Sequence, residues 1–469
     1  MRRVALTAIV VIGCAASLYA NFPGHFSPDS LWQLAQGRSG VYNEWHPPAM
    51  AWLLGVADRL RPGASLFIFF DAALFYGGLL AFAVLEKRPR LISMPLVALL
   101  TASPLVLIYQ GVVWKDVLFA DAALAGFAAL AWSGRAWARP PRRFSLLLLA
   151  FALFSLAALS RQNGWVVPMC GALALVAIRL TAPARSSDGL GAVAYGLAAL
   201  AVTGAICGAA GAALAARDDG KPETARQLRR LQVFDLAGAV RADPSVALSI
   251  LHREAPVQEE FIRRAAAPVW TATGADNLKP LAGADTAFIR PGSATSRQWR
   301  ALLLAEPILY LRTRAKVFAS TLLASTADKC LITFTGVDGP PRLLARAGLS
   351  ARYDDKDSWD EAYETTFVST PVFSHVFYGA ILIVLLLWRL RDIVRGDRRP
   401  ETWSTATMAV CALLFTASFF VISSACDYRY LYFLDVAAMA ALVRRASERP
   451  AVRPPTPSDR AAPLASGSS

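Results

Sequence analysis

The sequence predicts an all-α membrane protein: about ten transmembrane helices, with further helices lying along the outer membrane surface and a soluble-looking external insert. Three observations carry this expectation. Hydrophobic residues make up 55% of the 469-residue chain and charged ones only 17%, against about 25% for an ordinary soluble domain. Apolar runs of roughly 17 or more residues recur, and mean hydropathy is +0.41. Finally, short stretches rich in Lys and Arg alternate with those runs as the positive-inside rule requires.

Taken in order, the runs are 1–20, 65–85, 92–109, 116–133, 144–160, 163–181, 189–215, 373–390, 404–424 and 428–444. The first follows Met1-Arg2-Arg3 and has the length of a signal peptide. No small-x-small cleavage site stands before Asn21-Phe22-Pro23, so it reads as a first span. From an inside N-terminus the inside segments are Glu86 to Arg90, Arg135 to Arg143, Arg179 to Arg185, Arg389 to Arg399 and the tail from Arg444. Much of the net charge of +14 is therefore an orientation signal rather than a nucleic-acid footprint. Helical stretches at 47–60 and 308–325 would reverse the pattern if counted as spans. They read as outer surface helices, with Asp58, Arg59, Arg312, Arg314 and Lys316 in contact with water.

These elements divide the chain into an N-terminal transmembrane module, 1–216, with a first external loop at 21–64, and an external insert at 217–371. C-terminal transmembrane helices follow at 372–445, then a Pro-, Ala- and Ser-rich tail at 446–469 with the composition of a disordered segment. Six cysteines make no disulfide framework. Cys14, Cys170, Cys207 and Cys411 fall in apolar runs as small buried residues; Cys330 and Cys426 lie elsewhere, and a bridge between them is not expected.

Threading places the unusual polar clusters on one face. Ser27-Pro28-Asp29-Ser30 and Tyr42 to Pro48, including Glu44 and His46, lie in the first external loop. Gln110 to Asp116, with Trp114 and Lys115, links the third and fourth spans; Ser160 to Trp165, with Arg161 and Asn163, links the fifth and sixth. Ser423 to Tyr430, with Asp427 and Arg429, forms the last external turn. Cations are disfavoured on that side, so Lys115, Arg161 and Arg429 beside carboxylates need a reason. The bland one is snorkelling anchors beside an aromatic belt of Trp114 and Trp165. Asp71, Asp121 and Asp435 lie inside spans near their outer ends and read as counter-ions to the cations.

Cations around a loop carboxylate at an outer surface suit an amphiphilic substrate with a phosphate head and a lipid tail. A phosphate leaving group needs fixed positive charge, and arginine presents a fork that matches its oxygens. The chain has no Walker or Rossmann glycine motif, as expected where no nucleotide is used. An attacking acceptor needs a carboxylate base, for which Asp29 is the best placed; the competing role is capping of the helix that Ser27-Pro28-Asp29-Ser30 begins. His46 could be a phosphate-side donor, a metal ligand or a loop residue. With Glu44 alone beside it, no metal and no cofactor is expected.

These residues, in this order, resemble the GT-C superfamily of polytopic glycosyltransferases that use polyprenyl-phosphate sugars, above all the protein O-mannosyltransferases and the lipid A aminoarabinose transferases. In those families an acidic residue follows the first span, and a Tyr-x-x-Lys-Pro-Pro-type stretch then leads into a helix with Trp-Leu. Here Asp29 matches the first element, and Tyr42 to Leu53, with His46-Pro47-Pro48 and Trp52-Leu53, matches the second; Arg429-Tyr430-Leu431 resembles an Arg-Tyr element of a late helix. Two positions depart: Ser30 stands where a second acid is usual, and His46 replaces the lysine. The resemblance covers roughly the first 180 residues by ordered motifs and the rest by layout.

The resemblance implies a metal-independent, inverting transfer from a polyprenyl-phosphate-linked sugar to a lipid, glycan or protein acceptor. Asp29 would act as base, and Lys115, Arg161 and Arg429 would hold the lipid phosphate. Asn163, His46, Glu44, Asp116 and Tyr430 would contact donor or acceptor. The expected location is a bacterial inner membrane, multi-pass, with the site facing the periplasm and membrane lipids around it. The alternatives are a transporter or flippase of a lipid-linked sugar, against which the chain shows no internal repeat, and a lipid-linked glycan polymerase.

Overall fold

A computed structural model of the protein describes residues 1–182, 189–220, 223–282, 293–326 and 330–448; the expected tail lies mostly outside them. Among these residues regular structure is helical, with only isolated β-bridges. The principal helices are α1 (Arg2–Asn21), α2 (Pro28–Ser39), α3 (Pro48–Leu60), α4 (Ser65–Ala83), α5 (Ser93–Ala102), α6 (Pro104–Leu107), α7 (Lys115–Arg135), α8 (Pro140–Ser160), α9 (Val166–Thr181) and α10 (Gly189–Ala215). Then come α11 (Glu223–Ala242), α12 (Ser293–Ala305), α13 (Pro307–Leu322), α14 (Asp355–Phe367), α15 (His375–Val394), α16 (Pro400–Ile422) and α17 (Tyr432–Ser447).

Six of these, α1, α4, α7, α8, α10 and α16, are long and apolar enough to cross a membrane, and the pair α5 and α6 raises the number to seven. Helices also form at the other three expected spans, but they fall short of that length or apolarity. Helix α9 is apolar over only 16 residues, α15 ends in Arg389, Arg391 and Asp392, and α17 has 16 residues including Asp435, Arg444 and Arg445. The α5–α6 pair bends by 60°. Pro104 has no N–H to continue α5 and holds Ser103 in extended geometry. Two side chains of α1 meet the backbone beyond the break: Ser17 Oγ and Asn21 Nδ2 both donate to the Leu107 carbonyl at 2.8 Å, so a break at membrane depth leaves no bare carbonyl there.

The two ends of the bundle differ in chemistry. At one end the basic segments gather on three glutamates. Arg135 pairs with Glu401 at 2.5 Å, Arg444 with Glu86 at 2.8 Å, and Arg389 with Glu448 at 2.7 Å, while Arg3 donates to the Glu86 carbonyl. Arg444 is fully buried, so these contacts are what make its charge tolerable. Lys115 opens the α7 that Arg135 ends, and Arg429 just precedes the α17 that carries Arg444 in its last turn; Asp29 and Arg161 join them at that opposite end.

The insert is built in two parts. Residues from α11 to α13 share a core of their own that includes Phe234, Leu251, Ile262 and Val317. From Cys330 onward, Ile332, Phe334 and Phe367 pack into the main bundle core. Helices form at both stretches expected to lie on the surface, α3 and α13, with Arg59, Arg312 and Lys316 exposed. Two charges expected to be wet are not. Arg314 is buried and pairs with Asp235 at 3.0 Å, and Asp58 is buried against Arg38 at 2.7 Å, because each helix finds a partner side chain within the fold. Cys330 and Cys426 form a disulfide, contrary to expectation, since folding brings two loops 96 residues apart in sequence into contact. The other four cysteines are free, three of them buried.

Candidate active site

Helix α2 carries Asp29 in its first turn, where a carboxylate meets the positive end of the helix. It does not cap. Ser27 holds the N-cap position in extended geometry but makes no cap hydrogen bond; its hydroxyl instead receives the Trp114 indole N–H at 3.0 Å. Helix α3, entered through Pro47-Pro48, brings His46 alongside. The two helices approach closely because Gly37 and Gly55 face each other, and a Cβ on either would strike the other's backbone. Lys115 and Asp116 open α7, Arg161 follows the last turn of α8, and Arg429 lies in a short 3-10 turn before α17.

These side chains meet. Arg429 donates from Nη2 to Asp29 at 2.5 Å and to Asp427 at 2.9 Å, and its Nε lies 3.9 Å from Asp116. Arg161 is buried in direct contact with Asp116. Lys115 Nζ lies 3.0 Å from His46 Nδ1 and donates to it, which leaves the Nε2–H facing Asp29 Oδ1 at 3.6 Å, beyond direct hydrogen bonding. Aromatic rings back the guanidiniums. Arg429 lies 4.8 Å over Trp114 and 5.6 Å over Tyr430, and Arg161 lies 5.5 Å over Tyr430 and 5.3 Å over Phe419.

Burial would raise the Asp29 carboxyl, but the Arg429 guanidinium and His46 outweigh it and hold it well below the usual range, so Asp29 is ionised at neutral pH. Burial and the Lys115 ammonium push His46 down to about 4, so its ring is neutral. The Asp29 side chain is 37% exposed, whereas those of Arg161 and Arg429 are below a tenth, which makes Asp29 the open member of the cluster.

The structure thus brings together Asp29, His46, Lys115, Asp116, Arg161, Arg429 and Tyr430. Two expected members point elsewhere. Glu44 is exposed and accepts from Thr224 of the insert at 2.5 Å, because the turn before Pro47 aims it away from His46. Asn163 donates to Ser418 at 2.8 Å. The span carboxylates are not the counter-ions either: Asp121 accepts from Gln110, Asp435 pairs with His375, and Asp71 has no hydrogen-bond partner. Asp29, Asp116 and Asp427 take that role, since they stand at the depth of the cations. Sequence reasoning passed over Asp427 as a partner, although its place two residues before Arg429 was a usable signal. Lys115 has no carboxylate partner among the described residues. Nor does any group of three or more His, Cys, Asp or Glu among them stand where it could hold a metal ion.

No family model matches the chain, and no curated protein matches it. Solved structures do. The chain is similar to an archaeal oligosaccharyltransferase, AglB from Archaeoglobus fulgidus, in complex with an inhibitory peptide and a dolichol-phosphate. That match has 14% identity and a TM-score of 0.40 over 93% of this chain and 49% of that one. It is also similar to the Archaeoglobus fulgidus oligosaccharyltransferase tethered to an acceptor peptide containing the NVT sequon, at 12% identity and a TM-score of 0.42, again over 93% and 49%. The chain spans about half the length of the structures it matches.

Proposed function

We propose that the protein is an integral-membrane glycosyltransferase that moves a sugar from a polyprenyl-phosphate-linked donor to an acceptor at the outer face of a bacterial inner membrane. One observation carries this reading: an ionised, partly open carboxylate, Asp29, is held at 2.5 Å by a buried arginine, Arg429, in a cluster with a second buried arginine, Arg161, and Lys115. Asp29, Asp116 and Asp427 already pair with the two arginines, so an arriving donor phosphate must compete for Arg429. Once the phosphate draws Arg429 away, Asp29 regains basicity as the reaction needs it. Lys115, tied only to neutral His46, is the cation available to the phosphate from the start, and Arg161 is held by Asp116 as fixed charge behind it.

The acceptor hydroxyl or amine attacks the anomeric carbon from the side opposite the phosphate, and Asp29 takes the proton that it loses. The carbon–oxygen bond to the phosphate breaks, its electron pair stays on the lipid phosphate beside Lys115 and Arg429, and the configuration inverts. Burial among Trp114, Phe419 and Tyr430 keeps water from weakening those charges. The disulfide three residues before Arg429 supports placing this face in an oxidising compartment such as the periplasm.

The test is sugar release from a panel of radiolabelled polyprenyl-phosphate sugars by purified protein, beside a folded Asp29→Asn variant. Transfer by the wild type that falls at least about 100-fold in the variant supports the assignment. Donor binding without turnover in either protein would sink it in favour of a flippase.

A further inference from the structure

A groove of about 760 Å³ opens between α8, α9 and α10 at the end of the bundle away from Asp29, lined by Phe144, Phe151, Leu175, Tyr195, Ala198 and Val202 among others. Its lining is apolar apart from Ser145 and the Tyr195 hydroxyl. Phe144 and Leu148 at its rim are more than half exposed, so it faces sideways, toward lipid.

Two arginines stand at its mouth. Arg143 stacks 4.6 Å over Phe144 and 4.9 Å over Trp137; Arg179 stacks 5.9 Å over Tyr195 and over Trp137. Phe144 and Tyr195 are both groove walls, so each guanidinium lies on a ring that lines it. Neither arginine has a carboxylate partner among the described residues. Arg143 uses one guanidinium N–H on the Trp137 carbonyl at 3.2 Å, while its Nε is buried with no hydrogen-bond partner.

An apolar slot topped by two arginines that have no carboxylate partner matches one occupant. We infer that the groove binds an anionic phospholipid of the inner leaflet, with a phosphate on Arg143 and Arg179 and an acyl chain along α10. The lengths agree. The groove follows α10 from Gly191 to Val202, roughly 16 Å at 1.5 Å per residue, which is about half the ~30 Å hydrocarbon core. The arginines also lie the length of α8, roughly 30 Å, from Arg161, so this lipid is not the donor of the outer site. Basic pockets between helices on the inner side are where anionic headgroups bind, and each arginine near a membrane surface contributes about 1 kcal/mol, roughly five-fold in affinity.

The experiment is native mass spectrometry of the full chain, delipidated in a neutral detergent and offered phosphatidylglycerol or phosphatidylcholine of matched chain length. The wild type should hold phosphatidylglycerol at least five-fold more strongly. An Arg143→Ala, Arg179→Ala double variant with the wild-type elution profile should bind both lipids alike, and Ala198→Phe, which fills the slot, should lose both. Equal binding of the two lipids by wild type overturns the inference, as does a preference that survives in the double variant. Should that variant not fold, Ala198→Phe decides alone: lipid retention equal to wild type overturns the site.

Discussion

Arg429 Nη2 donates to Asp29 Oδ2 at 2.5 Å, joining side chains 400 residues apart in the chain. The contact closes the bundle's polar end, because α2 follows the first long helix and the Arg429 turn precedes the last.

That pairing makes the shape of the cation matter as well as its charge. Arg429 reaches Asp29 and Asp427 with Nη2, keeps Nε 3.9 Å from Asp116 and lies 4.8 Å over Trp114, and a lysine's single ammonium cannot make all of these contacts together. Arg429→Lys should therefore lower kcat/KM for glycosyl transfer about 10- to 1,000-fold in a folded protein. Steady-state kinetics with a defined lipid-phosphate sugar would check it; a loss under two-fold would show that charge alone suffices.

A pH dependence follows from Asp360 in α14. It is fully buried, and neither of its oxygens has a hydrogen-bond partner. Burial, with Asp357 and Asp354 adding to it, pushes its carboxyl up to about 7. The groups facing it are His25 at 3.8 Å, Asp357, Asp354 and the exposed Lys356. Because the folded protein holds this proton more tightly than the unfolded chain, stability contributed here is full below about pH 4 and lost as pH rises toward and through 7. Asp360→Asn should leave the melting temperature near pH 4 little changed and raise it at pH 8. A thermal scan in which the two proteins differ equally at both pH values would contradict the assignment.

The helical, apolar character of the chain was legible because it rests on a local signal, the runs of apolar residues, and six of the expected spans form helices long and apolar enough to cross a membrane. Asp29, Lys115, Arg161 and Arg429 stood out as charges set between apolar runs, and the structure brings them into one cluster. What could not be read was which opposite charges meet. Asp121 and Asp435 looked like counter-ions by depth, yet Gln110 and His375 take them, and Asp427 holds the arginine instead. Such choices depend on how helices rotate about their axes, which periodicity in an all-apolar span leaves undetermined. The buried Arg314–Asp235 pair and the Cys330–Cys426 bridge escaped for the same reason, as each joins elements far apart in sequence.

The bridge itself ties the part of the insert that packs on the bundle to the turn holding Arg429. Tyr428 N also donates to the Leu331 carbonyl, one residue from Cys330, so two links position that turn. Cys330→Ser, Cys426→Ser should lose about 2–5 kcal/mol of stability. Glycosyl transfer should fall further than unfolding explains, because Arg429 loses its anchor. Activity at a temperature where both proteins remain folded separates the two effects, and unchanged turnover there would leave the bridge a purely stabilising part.

The base is positioned from behind by glycine. Gly37 in α2 and Gly55 in α3 lie so close that a Cβ on Gly37 would come within 2.8 Å of the Gly55 Cα, with the Ala51 carbonyl closer still. No side chain can yield there, since the obstructing atoms are backbone, so Gly37→Ala must push α2 and α3 apart. Asp29 stands two turns before Gly37 and His46 just before α3, and their 3.6 Å separation would widen with the helices. The variant should cost about 1–3 kcal/mol of stability. Its kcat should drop about 10-fold or more at little change in donor KM, because Lys115 and Arg161 come from other helices. A variant whose melting temperature falls while kcat stays at the wild-type value would show that Asp29 does not depend on this packing.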